Sequence, residues 1–201
     1  MHRPSRICIA RHGETDWNAA GILQGWIDVP INETGRLQAV ELAESLIGMG
    51  FSCIYSSPLR RARETAEMIA GRLELPMPSF HDGLKERHFG HYQGIPKEEL
   101  AVTHPDVLAE ITSRNPAGHF DGGESMDHFA DRVLHALGNI ADQHEGETVL
   151  VVTHGWVIDV ITRQVKGLPR HTVLQMKRRN IECLWLEVVD AAIREAPGLT
   201  G

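Results

Sequence analysis

Three cysteines in 201 residues, Cys8, Cys53 and Cys183, are too few and too far apart for a disulfide framework. Each stands inside a short apolar run, so they read as buried, reduced thiols of a cytoplasmic protein. No apolar stretch approaches the length of a membrane span, and residues 1–5 lead into a strand with no signal-peptide core. Neither a membrane partner nor secretion is expected. Basic residues are outnumbered, 20 Lys and Arg against 27 Asp and Glu, for a formal net charge of -7. Nucleic acid is therefore not an expected partner, because holding a phosphate backbone takes a basic excess that displaces counterions. There is no internal repeat and no low-complexity tract. Twelve histidines are present, but His88-x-x-His91 has no accompanying cysteine or carboxylate cluster in a zinc pattern, so no metal is expected.

What remains is an ordinary globular composition, 42% hydrophobic and 23% charged, read as one domain over residues 1–201. Strand-like and helical segments alternate. Arg6 to Arg11, Phe51 to Ser56, Thr148 to Thr153 and Ile181 to Val189 read as strands. Asn32 to Gly48 reads as a helix capped by Asn32, with Ala39, Leu42, Ala43 and Leu46 at helical spacing. Ser57-Pro58 reads as N-cap and first position of a second helix, whose inner face is Ala62, Ala66, Ile69 and Leu73. Ser125 is expected to cap a long helix with Phe129, Val133, Leu137 and Ile140 on one face, and Ile158, Ile161 and Val165 mark another. This alternation predicts an α/β fold, a three-layer α/β/α sandwich with a mostly parallel sheet. Residues 76–123 read as an irregular, lid-like insertion over the sheet's C-terminal edge, and 190–201 as a loose tail.

The chemistry gathers at strand ends. Arg11-His12-Gly13-Glu14 follows the apolar run Ile7 to Ala10, and His154-Gly155 follows Thr148 to Thr153. The C-terminal ends of strands in an open α/β sheet are where ligands bind. A neutral imidazole attacks phosphorus well, which makes His12 the candidate nucleophile. Arg11 offers a planar, permanently charged fork for phosphoryl oxygens, and Arg61 offers a second, being next to Ala62 of the buried helix face. Arg60 and Arg63 read as solvated charges. His154 would complete the cluster by stabilising phosphoryl charge.

Taken together, Arg11-His12-Gly13-Glu14-Thr15 with Asn18, Gln24-Gly25, Ser57-x-Leu59-x-Arg61-Ala62-x-x-Thr65, Leu84-x-Glu86-x-x-x-Gly90-x-x-x-Gly94 and Thr153-His154-Gly155 resemble the histidine phosphatase superfamily, the phosphoglycerate mutase-like proteins. The resemblance spans residues 6–188. It implies that His12 is phosphorylated, that Arg11, Arg61 and His154 hold the phosphoryl group, and that Glu86 is the proton donor. It implies amide donors from Asn18, Gln24 and Gly25 over the phosphate, and a metal-free site with no cofactor. Gly155, Lys97, Phe89 and Trp156 are further candidates for substrate contact. Trp17, Trp26 and Tyr92 join Phe89 and Trp156 as candidates for the pocket wall.

Two activities share such a site. Glu86 to Gly90, Gln93-Gly94 and Lys97 resemble the cofactor-dependent mutases, which would need a 2,3-bisphosphoglycerate primer. Those mutases carry an adjacent arginine pair that clamps the substrate carboxylate. Between Glu98 and Asp121 this chain has a single basic residue, Arg114. Gly122 to Ser125 resembles the shorter phosphatases. The expectation is a phosphomonoester hydrolase acting on a small phosphorylated metabolite, with the mutase as alternative and a non-catalytic phosphate-binding module as a lesser one. Assembly into a homodimer stays open.

Overall fold

The computed structural model describes residues 3–196 apart from 175, 177 and 191. In chain order it contains β1 (Ser5–Arg11), α1 (Asp16–Ala19), α2 (Glu33–Leu46), β2 (Phe51–Ser56), α3 (Arg60–Arg72), β3 (Ser79–Phe80), α4 (Lys97–Thr103), α5 (Pro105–Thr112), α6 (Met126–Gln143), β4 (Thr148–Thr153), α7 (Gly155–Val165), β5 (Cys183–Val189) and β6 (Ala192–Glu195). One sheet runs in the order β3-β2-β4-β1-β5-β6. β1, β2, β3 and β4 are mutually parallel, while β5 and β6 are antiparallel additions.

β1 is apolar at every central position because both its faces are covered. Ile7 and Ile9 pack into a core with α6 and α7, and Cys8 and Ala10 into a second core with α2 and α3. The two cores make the three-layer sandwich that the alternation predicts. α2 is capped by Asn32, whose side chain accepts from the Gly35 N–H at 2.8 Å, and it buries Ala39, Leu42, Ala43 and Leu46. α6 is capped by Ser125 and buries Phe129, Val133, Leu137 and Ile140 as expected. α7 is buried on nearly every side at its start, from Gly155 to Arg163. Cys8 is buried, but Cys53 and Cys183 are only half-buried, and all three are free thiols.

Several local expectations are corrected. α3 starts at Arg60, not at Ser57-Pro58, and Leu59 in the N-cap position makes no side-chain cap bond. Ser57 is occupied elsewhere, and Asp28 takes over by accepting from the Arg60 N–H at 2.5 Å. Residues 76–123 are less irregular than expected, since α4 follows Pro96 and α5 begins on Pro105, positions where proline favours a helix start. This segment is tied to the chain over the site by a bridge between Ile22 and Pro96 and by the Gly94 N–H on Leu23 O at 2.7 Å. The late strand starts at Cys183 instead of Ile181, whose positive φ of 63° breaks the extended run. The expected loose tail carries β6, paired to β5 from Val189↔Ala192 to Leu186↔Glu195. Ala192, Arg194 and Glu195 are exposed and only Ile193 of the strand packs against the core, too short an apolar pattern to mark a strand in the sequence. The rest of the expected tail, residues 191 and 197–201, lies outside the described residues. No helix among the described residues is long and apolar enough to cross a membrane.

Candidate active site

The parallel register of β1 and β4 pairs Arg11 with Thr153, so the next residues, His12 and His154, leave the sheet side by side. Their ring centroids are 5.2 Å apart, and the His12 N–H donates to Thr153 O at 3.0 Å. His12 is buried, and its Nδ1 lies 2.7 Å from Gly13 O. A carbonyl can only accept, so Nδ1 carries the proton and Nε2 keeps its lone pair. Burial, then the charges of Arg61 and Arg11, hold the His12 pKa well below the usual histidine range, which keeps the ring neutral. Gly13 cannot be larger, because a Cβ there would meet Gly35 O at 2.5 Å.

His154 is fully buried, with Nε2 2.8 Å from Ser57 Oγ and Nδ1 without a partner among the described residues. Burial, Arg61 and His12 push its pKa well down as well. Ser57 Oγ already accepts from the Leu59 N–H at 3.3 Å, so its own proton is available to His154 Nε2. That is why Ser57 does not cap α3.

The two arginines are held by carbonyls. Arg61 donates through Nη2 to Gly25 O at 2.7 Å and through Nη1 to Ile27 O at 3.1 Å, and Arg11 Nη1 donates to Arg178 O at 2.7 Å. Both Nε atoms are buried with no partner among the described residues. Burial lowers each guanidinium to about 10, so both remain charged near neutrality. A buried guanidinium paired only with dipoles keeps its charge uncompensated, and that is the condition for anion capture.

Glu86 closes the other side. Burial raises its pKa above the usual carboxylate value, against the opposing charges of Arg114, Arg61 and Arg11. Its Oε1 accepts from the Arg87 N–H at 3.0 Å, and its backbone carbonyl is pinned by Trp26 Nε1 at 2.6 Å and Arg132 Nη2 at 2.8 Å.

A cavity of about 150 Å³ is lined by Arg11, His12, Arg61 and Glu86, and by every predicted contact residue: Asn18, Gln24, Gly25, Phe89, Lys97, Gly155 and Trp156. His154 is a correction to the sequence expectation: it neighbours the His12 ring but does not line the cavity. Asn18 Oδ1 accepts from the Thr15 N–H at 3.2 Å, which leaves its amide nitrogen as a donor. Gly25 has φ of 51°, and a Cβ there would lie 1.9 Å from Gln93 Oε1. Of the proposed aromatic wall, Trp17, Phe89 and Trp156 line the cavity. Trp26 does not, because its indole N–H is turned to Glu86 O. Tyr92 packs against Phe120 and His104 instead.

Sequence reasoning missed Arg114, which also lines the cavity. It missed Thr65, whose Oγ1 accepts from the Gly13 N–H at 3.0 Å, and Asn180, whose side chain donates to His12 O at 2.8 Å. The Ser57-to-Thr65 motif contains Thr65, so that contact had a signal; Asn180 and Arg114 had none. Among the described residues no group of three or more His, Cys, Asp or Glu could hold a metal. His88 and His91 diverge, the first accepting from the Gly90 N–H at 3.1 Å and the second facing Asp121.

The sequence profile of the histidine phosphatase superfamily (branch 1) matches residues 7–194. A protein of Arabidopsis thaliana described as a metal-independent phosphoserine phosphatase is 45% identical over 159 residues, covering 78% of this chain and 67% of its own. A second, phosphoglycerate mutase-like protein 4 from Arabidopsis thaliana, is 43% identical over 157 residues, covering 77% and 68%. Among solved structures, Bacillus stearothermophilus YhfR superposes with a TM-score of 0.88 at 31% identity, over 96% of this chain and 95% of that one.

Proposed function

Because the chain belongs to branch 1 of the histidine phosphatase superfamily and is a phosphatase, we propose that it hydrolyses small phosphomonoesters through a phosphohistidine at His12, without a metal. The observation that carries this reading is the arrangement around His12: a neutral imidazole with Nε2 unprotonated, beside two buried guanidiniums whose Nε atoms have no protein partner. A phosphoryl dianion supplies the acceptors those donors lack. The cationic groups do the charge neutralisation that a metal ion performs in other phosphatases, and the name of the Arabidopsis relative supports the same reading.

In the first half-reaction His12 Nε2 attacks phosphorus, the P–O bond to the alcohol breaks, and Glu86 gives its proton to the departing oxygen. Its raised pKa suits it to begin protonated. In the second, Glu86 as carboxylate takes a proton from water, the water oxygen attacks phosphorus, and the P–N bond breaks to return His12 and inorganic phosphate. Arg11 and Arg61 bind the equatorial oxygens throughout, with Asn18 adding its amide donor, while His154, which does not line the cavity, supports the site from beside the His12 ring. The lone Arg114 in place of an arginine pair favours hydrolysis over transfer between hydroxyls.

The test is rapid quench with a labelled phosphomonoester. Label that is acid-labile, base-stable and absent from His12→Ala is the expected result. Label that survives in His12→Ala refutes the nucleophile, and efficient primer-dependent interconversion of phosphoglycerates refutes hydrolysis as the main activity.

A further inference from the structure

The peptide that joins His12 to Gly13 is held at both of its polar edges by side chains. Its carbonyl, His12 O, accepts from Asn180 Nδ2 at 2.8 Å, and its N–H, on Gly13, donates to Thr65 Oγ1 at 3.0 Å. The two side chains come from distant parts of the chain. Thr65 is fully buried on α3, and its own hydroxyl proton goes to Arg61 O at 2.7 Å, one turn back along the same helix. Asn180 stands just before β5, in a stretch zipped to β1 by the Ile181 N–H on Arg11 O at 3.2 Å and the Arg11 N–H on Glu182 O at 3.1 Å. Ile181 is left-handed, so the extended ladder ends there, and a side-chain amide rather than a backbone N–H serves His12 O.

Glycine on one side would leave this peptide free to turn, because glycine accepts backbone angles that other residues resist. Its surroundings are fixed: the His12 N–H is on Thr153 O at 3.0 Å, and Gly13 is pressed against the backbone of Gly35. The orientation of the peptide decides where the next carbonyl lies. That carbonyl, Gly13 O, is the atom 2.7 Å from His12 Nδ1. Which nitrogen of a neutral imidazole carries the proton is set by the hydrogen bond it makes. With Gly13 O in place the proton stays on Nδ1, and the lone pair is left on Nε2. With that carbonyl displaced, the other tautomer competes, and a protonated Nε2 has no lone pair with which to attack phosphorus.

We propose that Thr65 and Asn180 are the positioning residues of the nucleophile: by holding opposite edges of one peptide they keep Gly13 O on His12 Nδ1, and so keep the lone pair on Nε2. Neither side chain lines the cavity, so neither touches the reacting atoms. Thr65 also ties the peptide of His12 to the first turn of α3, since one hydroxyl accepts from Gly13 and donates to Arg61 O. The grip on phosphate passes through neither side chain. The Arg61 guanidinium is held by Gly25 O and Ile27 O, and that of Arg11 by Arg178 O. The proposal deepens the phosphohistidine reading and rests on it for the identity of the attacking atom.

The test uses Thr65→Val and Asn180→Leu, which nearly keep the size of each side chain and remove its hydrogen bonds without adding charge. The rate of phosphohistidine formation, read by rapid quench with a labelled ester, should fall about 10- to 100-fold in each, the cost of a slightly misplaced reacting group. Inhibition by inorganic phosphate should stay as in the unmutated chain. The double variant should lose no more than the worse single one, because the peptide is freed once either edge is released. Thr65→Ser, which keeps the hydroxyl, should recover most of the rate. The tautomer gives the readout that a merely structural role would not move. Nitrogen NMR shifts of the His12 ring, assigned by difference from His12→Asn, should report Nδ1–H in the unmutated chain and a mixture with Nε2–H in both variants. A ring that stays Nδ1–H in both, losses that multiply in the double variant, or phosphate inhibition that weakens in step with the rate overturns the proposal. Should Thr65→Val fail to fold, Asn180→Leu, at a half-buried position, carries the rate, inhibition and tautomer measurements by itself. Failure of the phosphohistidine reading shows separately, as absent label in the unmutated chain while the tautomer still responds to the variants.

Discussion

At the scale of single residues, Glu86 is the group whose behaviour divides chemistry from mere phosphate binding. Its carboxyl sits 9% exposed among three guanidiniums and still has a raised pKa, because the loss of hydration outweighs their attraction. A general acid matters in proportion to the basicity of the group it protonates. Glu86→Gln should therefore cost about 10²- to 10⁴-fold in kcat/KM on alkyl phosphates and far less on nitrophenyl phosphate. In the unmutated enzyme, kcat/KM on the alkyl ester should fall as pH rises through the raised Glu86 value, since the proton to be donated is then gone. Equal losses on both substrates would leave Glu86 as a positioning group only. Most residues of this site are legible in the sequence because their signal is local: His12, Glu86 and His154 each stand within a short motif, two of them directly after an apolar strand. Arg114 is not. Its place depends on one left-handed residue at a helix end and on an ion pair with Asp159, 45 positions away. Neither leaves a pattern in the neighbouring residues, and a lone arginine just past a short helix looks like a surface charge.

At the scale of elements, the legible parts are those whose burial repeats with the period of the backbone. β1, α2 and β4 match the bounds read from the sequence to within two residues, and α6 matches at its Ser125 cap and inner face, since each presents a continuous apolar face to one of the two cores. The start of α3 was misread for a reason the structure explains. Ser57-Pro58 has the composition of a helix start, but the Ser57 hydroxyl serves His154, and the cap comes from Asp28, 32 residues upstream. That substitution has a consequence. Asp28 accepts from the N–H of Arg60, the residue directly before Arg61, so this cap also fixes the first turn of the helix that delivers a phosphate ligand. Asp28→Ala should lower stability by about 1 kcal/mol, the usual cost of a lost N-cap, read from the urea midpoint. It should also reduce kcat/KM on alkyl and aryl esters alike. A variant with unchanged midpoint and unchanged kinetics would mean that water replaces Asp28 without loss.

At the scale of the whole molecule, the features that make a phosphate site also set the response to acid. His12 and His154 are buried as neutral rings, both with pKa values held well below the ordinary histidine value by burial and by Arg61. In the unfolded chain they titrate near an ordinary pKa of about 6.5. Below that pH the unfolded state takes up two protons that the folded state refuses, so unfolding binds protons and stability falls as pH is lowered. Above it both states hold neutral rings and the contribution is fully present. Each histidine adds a slope of at most about 1.4 kcal/mol per pH unit in this window. Glu86 opposes them further into acid. Its raised folded-state value means that the folded protein holds a proton the unfolded chain has released, a contribution present at low pH and lost as pH rises through that value. The net expectation is a stability that is level above about pH 7 and declines from about pH 6.5 downward, with the decline easing where Glu86 stays protonated in the folded state alone. Urea midpoints between pH 5 and 8 for the unmutated chain, His12→Asn and His154→Asn make the measurement. Each substitution should flatten the acid slope by up to about one proton's worth. Curves that run parallel to the unmutated chain would show that the buried histidines accept protons in the folded state, and the neutral, unprotonated Nε2 on which the nucleophilic role of His12 depends would fall with them.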